Sequence, residues 1–248
     1  MAIRIATMIR IGGLVFSAAL FAFGSVASAG NLKSFNQQVA DAYAPYRSAM
    51  FYLRTGNPGV ALLELEAASK RWQAVVDQFG KAVPDAFVGD PDFAASLKAI
   101  GGSLDAGLKS IEDDDQKTAT DVLTTIRADL SDLRHRNSIR TFSDCIDDMN
   151  AAMDRLWAFR HEPPAFDEVD QVNAVKREAA ITEFLYRRCY ETAPSAFRDD
   201  ESFNRMFEGS LISLPLIYNA LDEGNEGMLI NILRELRSFD RMIWLHFG

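Results

Sequence analysis

Apolar residues recur three and four positions apart along most of the chain beyond residue 30, the mark of helices that each bury one face. Phe93, Leu97, Ile100, Leu104, Leu108 and Ile111 form one stripe, opened by Asp90-Pro91, an N-cap followed by proline at the first helical position. Ala119, Val122, Ile126, Leu130 and Leu133 form another, after an acidic turn, Glu112 to Asp115, that is expected to cap it. Upstream, Ala61, Leu65, Ala68, Trp72, Val75 and Phe79 make a third, behind the breaker Gly56-Asn57-Pro58-Gly59. The earliest, roughly Leu32 to Leu53, contains Pro45, which should kink it or divide it in two. Nothing in this half alternates with period two, so the pattern predicts an all-α fold.

The second half repeats the first. VPDAF, Val83 to Phe87, returns as APSAF, Ala193 to Phe197, and a shift of 110 residues lays Asp90 on Asp200, Phe93 on Phe203 and Arg127 on Arg237. The same shift keeps apolar on apolar at Leu97/Phe207, Leu108/Tyr218, Ile111/Leu221 and Ile126/Leu236. The front parts match only after a slip of about one helical turn, about 3.6 residues. Any two amphipathic helix pairs can be overlaid to some extent, but here the Pro-x-Ala-Phe element sits at the same joint between helices two and three. The expectation is therefore two tandem up-down-up-down four-helix bundles, residues 30–140 and 141–248. Between Thr118 and Arg160 there is neither glycine nor proline. One long helix shared by both bundles would satisfy this, as would a break near Asn137-Ser138, which the capping preference of those residues favours.

Residues 1–29 read as a signal peptide that is cleaved after Ala29: Arg4 and Arg10, an apolar run from Ile11 to Phe23, then the small-x-small ending Val26-Ala27-Ser28-Ala29. That run is shorter than the roughly 20 apolar residues of a membrane span. Export implies a periplasmic location, with no membrane span once the leader is removed. Cleavage removes two arginines and no acid, moving the formal net charge from −9 to −11. Such a surface repels phosphate backbones, so nucleic acid is not expected as a partner.

Two cysteines suit an oxidising compartment. Cys145 lies near the start of the second bundle's first helix and Cys189 near the end of its second, ends that an antiparallel pair brings together. A disulfide is the favoured reading; two buried thiols are the other. No C-x-x-C motif occurs.

A secreted four-helix bundle with Pro-x-x-Phe and an Asp/Pro start to its third helix resembles cytochrome c prime and the related soluble periplasmic b-type cytochrome. The covalent members attach haem through C-x-x-C-H on the fourth helix, and neither Leu123 to Asn137 nor Leu233 to Gly248 contains it. The b-type relative uses a Met early in the first helix and a His late in the fourth. Carried over, that pair implies Met149 or Met153 with His246, as non-covalent haem or metal ligands in the second bundle. Against it, Met on a stripe fills cores, and a His near a helix C-terminus suits the dipole.

Other chemistries lack their residues. His161-Glu162-Pro163-Pro164 starts like a zinc protease motif, but it lacks the second His and its prolines prevent the helix. Di-iron, P-loop, dinucleotide and Gly-x-Ser-x-Gly patterns are missing from the sequence. The element Tyr52 to Leu62 resembles a helix-turn-helix solenoid unit, though the repeat here is about three times the usual length of about 34 residues. Tyr46 and Tyr52 around that turn are candidates for a docking surface. The expected function is a non-enzymatic binding or accessory role beside another envelope protein, without a cofactor; the alternative is the haem or metal carrier.

Overall fold

Stripes of period 3.6 become helices until a cap, a glycine or a proline ends them. The computed structural model describes residues 26–248, with side chains from Leu32, and those residues form helices and connections without a strand. The predicted signal peptide lies outside the described residues except for 26–29, which open the first helix. In chain order the first helices are α1 (Val26–Arg54), α2 (Pro58–Phe79), α3 (Phe93–Glu112) and α4 (Gln116–His135). A 3₁₀ turn, Asp85–Phe87, precedes α3. Then follow α5 (Phe142–Ala158), α6 (Val169–Thr192), α7 (Ser195–Arg198), α8 (Glu201–Ser213), α9 (Leu216–Asp222) and α10 (Glu226–Phe247).

The caps explain several of these boundaries. Asp115 accepts the Thr118 N–H at 2.9 Å, so the acidic turn does cap α4. Asp200 and Asn225 accept from Phe203 and Met228 in the same way, each at 3.0 Å. Between α4 and α5 the chain breaks where Asn137-Ser138 stands, and Ser138 takes a left-handed φ of 57°. Thr141 and Asp144 then form a capping box that starts α5.

Three expectations meet the structure unevenly. Asp90 accepts the Asp92 N–H at 2.9 Å through Oδ1, while Oδ2 holds Arg136 Nε and Asn137 Nδ2, both at 2.8 Å, and α3 begins at Phe93, two residues after the proline. Of the two outcomes expected at Pro45, division does not occur, since α1 runs through it; buried Ala42, Tyr43, Tyr46 and Ala49 hold the helix through the missing hydrogen bond. Pro215 does interrupt the helix that the stripe from Phe207 to Leu221 predicted, splitting it into α8 and α9.

Each helix packs on the next: α1 on α2, α2 on α3, α3 on α4, with α4 returning to α1. Likewise α5 packs on α6, α6 on α8 and α9, and both of these on α10, which returns to α5. Contact between α1 and α10 joins the two sets. The two Pro-x-Ala-Phe elements adopt similar local conformations. Each forms a short helical turn with its proline extended at the N-cap, Pro84 at φ −63°, ψ 142° and Pro194 at φ −54°, ψ 147°. Phe87 packs against Phe35 and Phe93 at ring distances of 5.1 and 4.7 Å, and Phe197 against Phe142 and Phe203 at 5.3 and 6.1 Å.

Cys145 and Cys189 stand at disulfide distance, 2.00 Å between sulfurs, tying the start of α5 to the end of α6. No described helix is long and apolar enough to cross a membrane.

Candidate functional site

Where α1 and α4 face α5 and α10, polar side chains replace the apolar stripe. Arg127 on α4 pairs with Asp147 on α5 and donates to Asn150 Oδ1 at 2.6 Å. Asn150 Nδ2 donates in turn to Asp240 on α10, which also accepts from Tyr186 Oη at 3.0 Å and Arg237 Nη1 at 3.1 Å. Arg237 reaches Asp154 at 2.6 Å as well. Nearer the α4–α5 joint, Arg134 Nε donates to both oxygens of Asp144, at 2.9 and 3.0 Å. Burial pushes the carboxyls of Asp240 and Asp147 above the ordinary range, more than their cationic and hydrogen-bonding neighbours pull them down. At Asp144 burial acts the same way, but the Arg134 and Thr141 hydrogen bonds win and hold the carboxyl below that range.

Beside this network lies a pocket of about 250 Å³. Phe35, Val39, Leu130, Phe142, Phe197 and Phe247 supply much of its apolar wall, while Arg47, Arg127 and Arg134 line it together with Tyr43 and His246. No aspartate or glutamate lines it among the described residues. Arg127 and Arg134 are neutralised by Asp147 and Asp144. Arg47 is not. It is 7% exposed, and among the described residues its Nε meets no acceptor and its one hydrogen bond is a long 3.4 Å donation from Nη2 to the His246 carbonyl. Burial pushes the Arg47 guanidinium down to about 10, and Tyr43, over whose ring it lies at 5.4 Å, is the one titratable neighbour that opposes this. Tyr43 itself is pushed up to about 12, chiefly by burial and then by Asp147, so at neutral pH it is an uncharged phenol.

A second hollow of about 180 Å³ opens on the other side of Arg127, lined by Arg54, Arg237 and Arg241 together with Asp154, Asp240 and Trp244. Arg54 and Arg127 flank the Trp244 ring at 5.3 and 5.6 Å, a pair of cation–π contacts.

The sequence-predicted ligands are placed apart in character. His246 is exposed and borders the larger pocket. Met149 and Met153 are fully buried in the core and are not among the residues that line it. Tyr46, expected as a docking aromatic, is buried at 2% exposure and donates to the Leu123 carbonyl at 2.8 Å; Tyr52 is half-buried. The polar network escaped sequence reading, although a signal existed. Asp240 stands four residues after Leu236 and three before Ile243, an apolar register position filled by a carboxylate. Arg47 stands likewise between Tyr43 and Met50.

Comparison with known proteins finds no matching family model, no matching curated protein and no matching solved structure. Nothing in these comparisons links the chain to cytochrome c prime.

Proposed function

We propose that the chain is an exported, non-enzymatic binding protein of two tandem four-helix bundles, residues 30–140 and 141–248, whose shared seam holds a small ligand. One observation carries this reading: the seam pocket contains a buried arginine, Arg47, that makes no ion pair with any described residue, the Gly248 terminus lining the same pocket included. A buried cation without a partner is expensive. Concave, mostly apolar walls with a few convergent polar groups are the usual form of a small-molecule site. The tandem arrangement is supported by the matching Pro-x-Ala-Phe turns and by their Phe clusters, in which Phe35 and Phe142 stand 107 residues apart, one turn short of the 110-residue shift. A binding rather than catalytic role is supported by the way Asp147, Asp144 and Asp240 are engaged with arginines and amides of the network, while none of them lines the pocket.

Native mass spectrometry of the protein purified from the envelope fraction tests this. The expected species begins at Gly30 and carries a small non-covalent ligand that is released on unfolding. A protein that retains no ligand would count against the binding role. A Soret-absorbing species that His246→Ala abolishes would replace it with the haem reading.

A further inference from the structure

We propose that the seam pocket takes an amphipathic anion: a carboxylate head held by Arg47 with a short unbranched apolar tail among the phenylalanines. This rests on the reading of that pocket as a ligand site and adds the chemistry of what fills it.

The head follows from charge. Arg47 lies against the pocket with an Nε that has no described partner and only a 3.4 Å bond from Nη2, so its guanidinium keeps N–H donors for a carboxylate. Gly248 lines the same pocket, and its terminal carboxylate makes no ion pair with Arg47. The described residues make no ion pair with Arg47, and residues 1–40 contain neither aspartate nor glutamate, so the segment ahead of the pocket brings none. Arg127 and Arg134 flank the same space with their charges already paired to Asp147 and Asp144, which leaves Arg47 as the arginine of the pocket without an ion pair among the described residues.

The tail follows from the opposite wall, where Phe35, Leu133, Phe142, Phe197 and Phe247 leave apolar surface uncovered. At about 30 Å³ per water-sized group, the volume of about 250 Å³ holds roughly eight such groups. That is the size of a C6 to C8 carboxylate, too small for a full-length membrane acyl chain.

Calorimetric titration of the delipidated full-length mature protein with octanoate, 1-octanol, octylammonium and inorganic phosphate separates the contributions. Octanoate is expected to bind about tenfold or more tighter than the alcohol, since a charge-assisted pair is at stake. Octylammonium and phosphate are expected not to bind measurably. Arg47→Met, checked for native circular dichroism, should lose the octanoate preference while keeping the weak affinity for octanol. If that variant fails to fold, the wild-type ranking of the four probes still decides. Equal binding of octanol and octanoate would overturn the anionic head and leave the ligand site standing. Phosphate binding as well as octanoate would overturn the apolar tail. If no probe binds although the protein from the envelope carries a ligand, this ligand class is wrong; if neither is seen, the binding reading itself falls.

Discussion

Tyr186 Oη donates to Asp240 Oδ1 at 3.0 Å, joining α6 to α10 in a part of the protein where both side chains are almost wholly buried. The bond lies among apolar neighbours and completes a chain of donors from Arg127 through Asn150 to a carboxylate that burial holds above its ordinary range. Buried networks of this kind specify one arrangement of helices when fully satisfied.

A pH dependence follows. Because the folded-state pKa of Asp240 is raised, the folded protein holds a proton that the unfolded chain has released. Its contribution to stability is full below the ordinary aspartate value of about 3.9 and is lost as pH rises through the raised value. Asp147 acts in the same sense. Asp144 acts oppositely: its contribution is present above the ordinary value and lost as pH falls through the depressed one. Denaturant midpoints should therefore rise as pH is lowered from neutrality toward the ordinary carboxylate range and fall below it. Asp240→Asn should shrink the rise, and an unchanged slope in that variant would refute the assignment.

The bridge between Cys145 and Cys189 closes a loop with a sequence separation of 44. Loop entropy predicts that Cys145→Ser with Cys189→Ser lowers unfolding free energy by about 4 kcal/mol. Urea unfolding of wild type with and without reductant, against the double serine variant, measures this. A reductant effect that persists in the serine variant would show another cause.

Two glycines in α3 give opposite expectations. A Cβ on Gly107 would stand 2.5 Å from Cδ2 of the fully buried Leu123, whereas one on Gly102 meets nothing within 4 Å. Gly107→Ala should destabilise by about 1–3 kcal/mol despite its better helix propensity. Gly102→Ala should stabilise by about 0.5–1 kcal/mol. Thermal unfolding of the pair tests whether α3 and α4 approach as closely as described.

Much of the helical order was legible because stripes and caps are local signals. The stripe from Ala61 to Phe79 became α2, the acidic turn became the cap of α4, and Asn137-Ser138 marked the break that follows. Local groups also serve distant partners, which was harder to read: Asp90 accepts the Asp92 N–H with one oxygen while the other holds Arg136 and Asn137, 46 and 47 residues away. The seam was illegible for the same reason on a larger scale. Asn150 and Asp240 are 90 residues apart, and Arg47 and His246 199, so periodicity reported that these positions face inward without saying what they meet. The predicted Met and His ligands were carried over from a likeness of layout, which fixes the ends that come together but not which side chains share a pocket.

The account depends most on Arg47 being a cation that the fold buries for a ligand's sake. Urea unfolding of ligand-free wild type and Arg47→Met at neutral pH tests this directly. Replacing an uncompensated buried charge with an apolar side chain of similar length should leave stability unchanged or raise it. Octanoate should then stabilise only the wild type. A ligand-free Arg47→Met protein destabilised by about 3 kcal/mol or more, the cost of breaking an internal pair, would show that Arg47 serves the fold and contradict the proposal.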